Sequence, residues 1–327
     1  MAGTRLTITP PTDFDLARDV CSYGYFVLAP NHWDPKTRTL MRVLEVGDGP
    51  ATAVITQPAA RSSPKRQRGA ALKVTFDRML ARAEQSEAKR LVARMLRLDE
   101  TADTLRAFHA IDPRWKRSGR GRLFRSPTLF EDVIKTVTSC NVAWPSTVKM
   151  NERLCAVCGR KAESGLYAFP SAKKLSRVRA GTLRGRCSVG YRDQRMIDLA
   201  KLFARGEIDE RWLEHPETPD DDVFEFLKTL PGIGPYAAGN IMQLLGRYSR
   251  LAIDTETFRH AKNVLGYTGT DAQLTNKIKA HYEPFGDQVF RSYWFELWAF
   301  YESKQGPSHT WERERTAKAF TAAQFKD

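Results

Sequence analysis

The stretch LKTLPGIGPYAAGNIMQLLG constrains this chain more than any other. An apolar helix is predicted to end at Leu230 and a second helix to begin near Tyr236. Residues 231–235 between them contain two glycines and two prolines. Glycine adopts backbone conformations that other residues avoid, and proline starts helices but does not continue them. The sequence therefore predicts two helices joined by a tight turn whose backbone a partner can approach closely.

This turn has the properties of a phosphate-binding site. The amides around Gly232 and Gly234 are free of helical hydrogen bonds, and the second helix presents its positive end nearby. Backbone amides hold a phosphodiester without reading its sequence. The carbonyls of the same turn could also hold a monovalent cation. The alternative is an ordinary corner between two helices, with no ligand.

Asp254 lies eighteen residues after Tyr236, in the segment RLAIDTETFRHAK. It follows three apolar residues and precedes a helix that Thr255 or Thr257 would cap. This placement directs one carboxylate back towards the turn. Aspartate also favours the N-cap position of helices, so the alternative from the residues alone is that Asp254 serves only as a cap.

The turn and the aspartate together resemble the helix-hairpin-helix DNA glycosylase superfamily, in which LPGxG and a later (V/I)D mark the hairpin and the catalytic aspartate. The resemblance extends over roughly residues 105–303. SPTLFEDVIKTVTSCNVAW and CSVGYRDQRMIDLA are similar to the branch that contains 8-oxoguanine and 3-methyladenine glycosylases. YGYFVLAPNHWDP is similar to the β domain of plant and bacterial relatives. The resemblance implies that Asp254 is the catalytic carboxylate.

The same resemblance assigns DNA-binding roles to three further residues. Asn141 matches an asparagine that fills the gap left by a flipped base. Tyr191, in the motif Gly-Tyr-Arg, matches a residue that wedges beside the opposite base, and Arg192 is a candidate reader of that base. From the residues alone, Asn141 could instead cap a helix that begins around Pro145, and Tyr191 could belong to the core.

Tyr236 stands where bifunctional relatives carry a lysine that forms a Schiff base. Tyrosine cannot form this adduct, so the resemblance implies hydrolysis that leaves an abasic site. Tyr236 would stack on the base or line its pocket. Asn240 stands where 8-oxoguanine-specific relatives have a small residue or cysteine.

Position matching also places Glu296 and Phe300, from the segment SYWFELWAFYES, near the base pocket. An aromatic pocket suits electron-poor alkylated purines, and a carboxylate could accept hydrogen bonds from a purine edge. We assign the other aromatic residues of this segment to the core.

The predicted fold class is α+β and mainly α-helical. Residues 20–76 are predicted to form strands in CSYGYFVLAP, TLMRVLEVG, ATAVITQ and ALKVTFD, with RSSPKRQRG as an exposed hairpin loop. From about residue 78 the hydrophobic period becomes helical. We expect an antiparallel β domain with a following helix in 1–105 and a helical region in 106–327. Within the latter, the helix-hairpin-helix spans 220–246 and the C-terminal helices return to the body.

The formal net charge of +14 favours a polyanionic partner, nucleic acid first and an anionic membrane second. No apolar run approaches the roughly 18 residues of a membrane span, and the first residues have no apolar region of a secretory signal. We therefore expect double-stranded DNA with a damaged base as the partner, no membrane, and a monomer. The expected location is the cytoplasm, at the nucleoid in a bacterium, or a nucleus or organelle in a eukaryote.

Two basic segments could contact phosphate or form solvated faces. RWKRSGRGRLFR (114–125) has six Lys/Arg and no acid, and its glycines favour a mobile connector. The second cluster leads into Tyr191, and we consider phosphate contact at least as favoured for it. Its members are Lys173, Lys174, Arg177, Arg179, Arg184 and Arg186.

Cys155 and Cys158 have the spacing of half a zinc ribbon. No second CxxC follows and Cys187 stands alone, so buried thiols are the better interpretation. The C-terminal end lacks the four-cysteine spacing of iron–sulfur glycosylases. We therefore expect no required cofactor and no metal held by side chains.

The main functional hypothesis is a monofunctional DNA glycosylase acting on an alkylated or oxidised purine in base excision repair. An alternative is a non-catalytic protein that binds DNA lesions or DNA structures on the same scaffold. A third possibility is lyase activity through another amine.

Overall fold

The computed structural model describes residues 3–58, 69–313 and 316. It is 55% helical, with a five-stranded sheet near the N-terminus of the described chain. The predicted hairpin loop at 61–69 lies almost entirely outside the described residues. None of the described helices is long and apolar enough to span a membrane.

The strands form an antiparallel sheet in the order β1-β5-β4-β3-β2. Alternate residues of a strand face opposite sides, and in the last strand Leu72, Val74 and Phe76 face the core. The predicted strands in TLMRVLEVG, ATAVITQ and ALKVTFD are confirmed. The strand bounds are β1 Arg5–Ile8, β2 Asn31–Asp34, β3 Thr39–Val46, β4 Gly49–Thr56 and β5 Leu72–Phe76.

The helical part confirms the α+β class predicted from the sequence. As predicted, helices occupy the chain from about residue 78 onward, and one further short helix lies between the first two strands. The helices are α1 Leu16–Val20, α2 Arg82–Met95, α3 Ala102–Ile111, α4 Leu129–Ser139, α5 Trp144–Cys158, α6 Ala172–Leu175, α7 Ala180–Thr182, α8 Asp193–Arg205, α9 Glu210–Glu214, α10 Asp220–Thr229, α11 Pro235–Leu245, α12 Thr255–Asn263, α13 Asp271–Tyr282 and α14 Val289–Gln305.

The segment CSYGYFVLAP is not a strand, contrary to the prediction. It contains a 3₁₀ turn at Gly24–Val27 instead. The backbone carbonyls of Cys21 and Ser22 accept hydrogen bonds from the indole nitrogens of Trp298 (3.0 Å) and Trp294 (2.8 Å). These carbonyls hold α14 rather than pairing with a strand. The segment is apolar without alternation, because it is buried on all sides.

Two large hydrophobic cores occur among the described residues. One joins the β sheet and α2 with α14 and its neighbours, and the other lies among α4, α5, α8, α10 and α11. The first core therefore connects residues on both sides of the predicted domain boundary at 105. That boundary stays a prediction.

The second half of the basic run 114–125 is packed rather than a mobile connector, whereas Arg114, Lys116 and Arg117 in its first half are exposed. Arg122 is fully buried and pairs with Asp13 at 2.9 Å, and Arg125 is buried and pairs with Asp99 at 3.2 Å. Both guanidinium groups also donate to backbone carbonyls. A buried arginine needs such partners for its donors, and composition alone does not reveal them.

Candidate active site

The predicted hairpin joins α10 to α11, with Gly234 as the N-cap of α11. Gly232 has φ +77°, in the left-handed region that favours glycine. A Cβ atom at this position would also lie 2.5 Å from Cδ of Arg195. Around Gly234, by contrast, there is open space where a Cβ would stand. The turn conformation thus requires glycine at position 232, whereas Gly234 leaves the outer face of the turn open to a partner.

The turn is closed by a hydrogen bond from the Ile233 amide to the Leu230 carbonyl at 3.1 Å. Within the described part of the chain, the amides of Gly232 and Gly234 donate to no acceptor. Free amides beside a helix N-terminus can receive an anion such as a phosphate. The monovalent cation expected at the carbonyls of this turn stays a prediction.

A cavity of about 900 Å³ opens beside the hairpin. Its walls come from the hairpin, α11, the loop after α4, the start of α12, one face of α14 and the N-terminal segment. This volume lies in the range of small-molecule sites. Aromatic side chains form much of the lining, among them Tyr23, Trp144, Tyr236, Phe258, Phe290 and Trp294.

Asp254 lines this cavity and is also the N-cap of α12. Its Oδ1 accepts hydrogen bonds from the Thr257 amide (2.9 Å) and the Thr257 hydroxyl (3.0 Å). The same hydroxyl lies 3.0 Å from that of Tyr293 on α14. The cap is therefore Asp254 and not Thr255 or Thr257, and capping fixes a half-buried carboxylate at the cavity wall.

Tyr236 lies in the first turn of α11 and is half-buried in the cavity wall. Burial, the charge of Asp254 and a hydrogen bond to that carboxylate raise the pKa of the tyrosine. The hydroxyl is therefore neutral at ordinary pH and serves as a donor towards Asp254. A side chain without an amine occupies this position next to the candidate catalytic group.

Asn240 also lines the cavity, one helical turn after Tyr236. Its Nδ2 donates to the Tyr236 carbonyl at 3.0 Å, and its Oδ1 accepts from Gln243 Nε2 at 2.8 Å. Gln243 Nε2 also donates to the Tyr23 hydroxyl at 3.0 Å. The sequence did not point to Gln243 or Tyr23, since the second comes from the distant N-terminal segment.

Glu256 is a second carboxylate at the cavity that sequence reasoning missed. Its Oε2 accepts a hydrogen bond from the Tyr301 hydroxyl at 2.7 Å. Burial raises the pKa of this carboxyl. Its position two residues after Asp254, at the exposed start of a helix, was the available signal.

The structure places Glu296 and Phe300 outside the cavity, contrary to the expectation. Glu296 pairs with Arg114, lies 3.3 Å from Nε2 of His260 and accepts a hydrogen bond from the Tyr282 hydroxyl at 2.9 Å. Successive residues of a helix are rotated by about 100°, so an error of one or two positions changes the face. The face of α14 that lines the cavity carries Phe290, Tyr293, Trp294, Leu297, Trp298 and Tyr301.

Asn141 is exposed, lines the cavity and has a left-handed backbone with φ +52°. The N-cap of α5 is Ala143, so Asn141 does not cap that helix. Tyr191 is 53% exposed, which excludes a place in the core. Its ring contacts the guanidinium groups of Arg192 and Arg195, 4.5 Å and 5.2 Å from the ring centroid. Both DNA contacts stay predictions.

Arg192 is placed differently from the expectation. It is buried, and its guanidinium donates to the backbone carbonyls of Val137 (3.1 Å) and Cys140. Cys140 directly precedes Asn141. Arg192 therefore supports the Asn141 loop from inside the protein, and its expected contact with the opposite base would require a rearrangement.

The second basic cluster, from Lys173 to Arg186, is exposed throughout. Cys155, Cys158 and Cys187 are buried free thiols, as predicted. Among the described residues there is no group of three or more His, Cys, Asp or Glu side chains arranged to hold a metal ion.

No protein-family model and no curated protein matches this sequence significantly. Solved structures do match. MBOgg1 in complex with a low-affinity DNA ligand is 18% identical, with a TM-score of 0.67 over 94% of this chain and 98% of that one. The 8-oxoguanine glycosylase/lyase of Clostridium acetobutylicum in its apo form is 18% identical, with a TM-score of 0.65 over 90% and 96%.

The 3-methyladenine DNA glycosylase of Archaeoglobus fulgidus is 16% identical, with a TM-score of 0.67 over 91% of this chain and 99% of that chain. Identities this low establish shared architecture. The chain thus has the same fold as these solved glycosylase structures.

Proposed function

We propose that this protein is a monofunctional DNA glycosylase of base excision repair. It acts as a monomer on double-stranded DNA and hydrolyses the N-glycosidic bond of a flipped, alkylated or oxidised purine. The observation that carries the proposal is that Asp254 and the two hairpin glycines, whose amides are free, line one largely aromatic cavity. Structural similarity to proteins named as DNA glycosylases supports it.

The chemistry fits this arrangement. The sugar gains positive charge as the glycosidic bond breaks, and a fixed carboxylate at Asp254 stabilises that charge and orients the attacking water. The base must first leave the helix stack. The hairpin amides hold the backbone, Asn141 enters the vacated space and exposed Tyr191 wedges beside the opposite base.

Hydrolysis without strand cleavage follows from the residue at position 236. Lyase chemistry needs an amine that attacks the sugar. Among the described residues, the lining of the cavity contains no lysine, and tyrosine occupies the position beside Asp254. The product is therefore an intact abasic site.

The test is a panel of duplexes that carry methylated, oxidised or deaminated bases. Asp254→Asn should keep DNA affinity and lose about 10³-fold or more in base release. Asparagine is also a good N-cap, so α12 should remain formed. Asp271→Asn, at the exposed start of α13, is the matched control and should retain activity. Equal base release by Asp254→Asn and wild type would remove Asp254 from catalysis.

Two further outcomes separate the alternatives. A wild-type protein that binds damaged duplexes tightly but releases no base would be a lesion-binding protein. Borohydride should trap no covalent complex with the wild type. A trapped adduct would show lyase activity through another amine.

A further inference from the structure

We propose that Asn240 reads the edge of the flipped base and selects purines that present an N–H donor directly beside a hydrogen-bond acceptor. The lactam edges of oxidised and deaminated purines such as 8-oxoguanine and hypoxanthine meet this condition, and so does the amino edge of adenine derivatives that retain N6–H. The inference rests on the proposed function and narrows its substrate class.

The orientation of the Asn240 amide is fixed by its neighbours. The Tyr236 carbonyl can only accept, so the Asn240 atom that faces it at 3.0 Å must be the nitrogen. The oxygen then receives the hydrogen bond from Gln243 at 2.8 Å. Each amide atom has one hydrogen bond within the protein, and each retains the capacity for another. Asn240 therefore offers one donor and one acceptor, side by side, at the cavity wall.

Gln243 and Tyr23 are positioning residues in this arrangement. Gln243 is 1% exposed, and its Nε2 bridges Asn240 Oδ1 and the Tyr23 hydroxyl. The Tyr23 ring packs against Trp294, with ring centroids 4.7 Å apart. A buried network with few free rotations holds its members in one geometry. The N-terminal segment thereby sets the direction in which Asn240 presents its amide.

A side-chain amide pairs with a base edge through two parallel hydrogen bonds when the edge has a donor and an acceptor next to each other. Hypoxanthine offers N1–H beside C6=O, and 8-oxoguanine offers N7–H beside C8=O. In 1,N6-ethenoadenine the edge has acceptors but no N–H, so a bidentate pair cannot form. A site that hydrogen-bonds its substrate rejects an analogue that leaves its polar groups unpaired.

The experiment compares single-turnover rate constants for base release by wild type and Asn240→Leu on duplexes with hypoxanthine, 8-oxoguanine or 1,N6-ethenoadenine. Leucine has a similar shape and removes both hydrogen bonds. We expect a loss of about 10- to 100-fold on the two lactam bases. Any activity on 1,N6-ethenoadenine should change by less than about 3-fold, because no pair with it is lost. Asn276→Leu, exposed on α13, is the matched control and should behave as wild type.

Tyr23→Phe is the second variant and keeps the ring packing while removing the hydroxyl. It should lower activity on the lactam bases by a smaller factor and leave the ratio between them unchanged, whereas mere destabilisation would lower activity on all bases equally. Thermal unfolding shows whether each variant is folded.

Equal losses on all three bases would overturn the inference. So would a wild type that excises only bases without an N–H donor beside an acceptor, although the proposed function would then stand. Failure of the wild type to excise any base in the wider panel would overturn the proposed function itself.

Discussion

Glu296 is a half-buried carboxylate among donors, away from the cavity. Burial alone would raise its pKa, but the contacts with His260, Tyr282 and Arg114 outweigh burial and hold the pKa at about 2. The ordinary value for glutamate is about 4.5. Because the folded state binds this proton less readily than the unfolded chain, the ionised carboxylate stabilises the fold.

We therefore expect Glu296→Gln to lower the free energy of unfolding by on the order of 3 kcal/mol at pH 7. The stabilisation is present above pH 4.5 and is lost as the pH falls towards 2, so the difference from wild type should narrow over that window. Urea unfolding at pH 7 and pH 3.5 measures it. Glu225→Gln, exposed on α10, should show no such narrowing. A difference that does not depend on pH would contradict the assigned pKa.

Residues near the motif lie close together, as the sequence led us to expect, and their roles stay predictions. Asp254, Tyr236 and Asn240 all line the cavity, because the hairpin and the short connection after α11 fix their relative positions. Tyr23 and Trp144 line it too, yet no local pattern links them to the hairpin. Their positions depend on how distant segments pack against each other, and no local sequence pattern predicts this packing.

At the scale of elements, the proposed DNA contact depends on the backbone conformation of the hairpin. Its two glycines differ in how well each position would accept a side chain. Gly232→Ala should destabilise the fold by about 1–2 kcal/mol, because φ +77° is unfavourable for alanine and Arg195 occupies the space. Gly234 has φ −92° with open space, so Gly234→Ala should change stability by less than about 0.5 kcal/mol.

Gly234→Ala should nevertheless weaken DNA binding by about 10-fold, since a methyl group hinders the close approach of a phosphate to the amides. Urea unfolding and fluorescence anisotropy with a labelled duplex measure the two effects separately. If Gly234→Ala binds DNA as tightly as wild type, the phosphate does not approach this face of the turn.

Among the elements, α14 is a helix that the sequence predicted only in part. Its existence was predictable, but its orientation was not, because aromatic residues occur on all its sides and its hydrophobic pattern does not define a single face. The orientation is set by the Trp294 and Trp298 indoles, which bond to carbonyls of Cys21 and Ser22. The strand predicted at 21–30 is absent for the same reason, because the carbonyls of Cys21 and Ser22 accept hydrogen bonds from these indoles instead of pairing with another strand.

At the scale of the whole molecule, the basic residues behind the net charge of +14 lie in two different settings, some buried and some exposed. Several arginines are buried and paired with carboxylates, including Arg42, Arg94, Arg122 and Arg125. The lysines and arginines from Lys173 to Arg186 are exposed. The surface field that attracts a polyanion therefore depends on such exposed clusters more than on the total charge.

Replacing Lys173 and Lys174 together with Gln should weaken DNA binding and reduce the slope of log K against log salt concentration by about 2, one for each lost phosphate contact. Anisotropy titrations over a series of salt concentrations measure this slope. Replacing Lys89 and Arg90, exposed on α2, with Gln removes the same charge and should leave the slope near that of wild type. Equal slopes for the two double variants would mean that the second basic cluster does not contact DNA.

The bonds between α14 and the carbonyls of Cys21 and Ser22 also bear on when a newly made polypeptide becomes competent. On the ribosome, Asp254 and the hairpin emerge before α14 does. Until α14 has been translated and has docked on the segment that emerged first, one wall is missing, and an extruded nucleotide has no enclosed place to enter. A partly synthesised chain therefore lacks the complete cavity, and the proposed activity arises only when this contact forms.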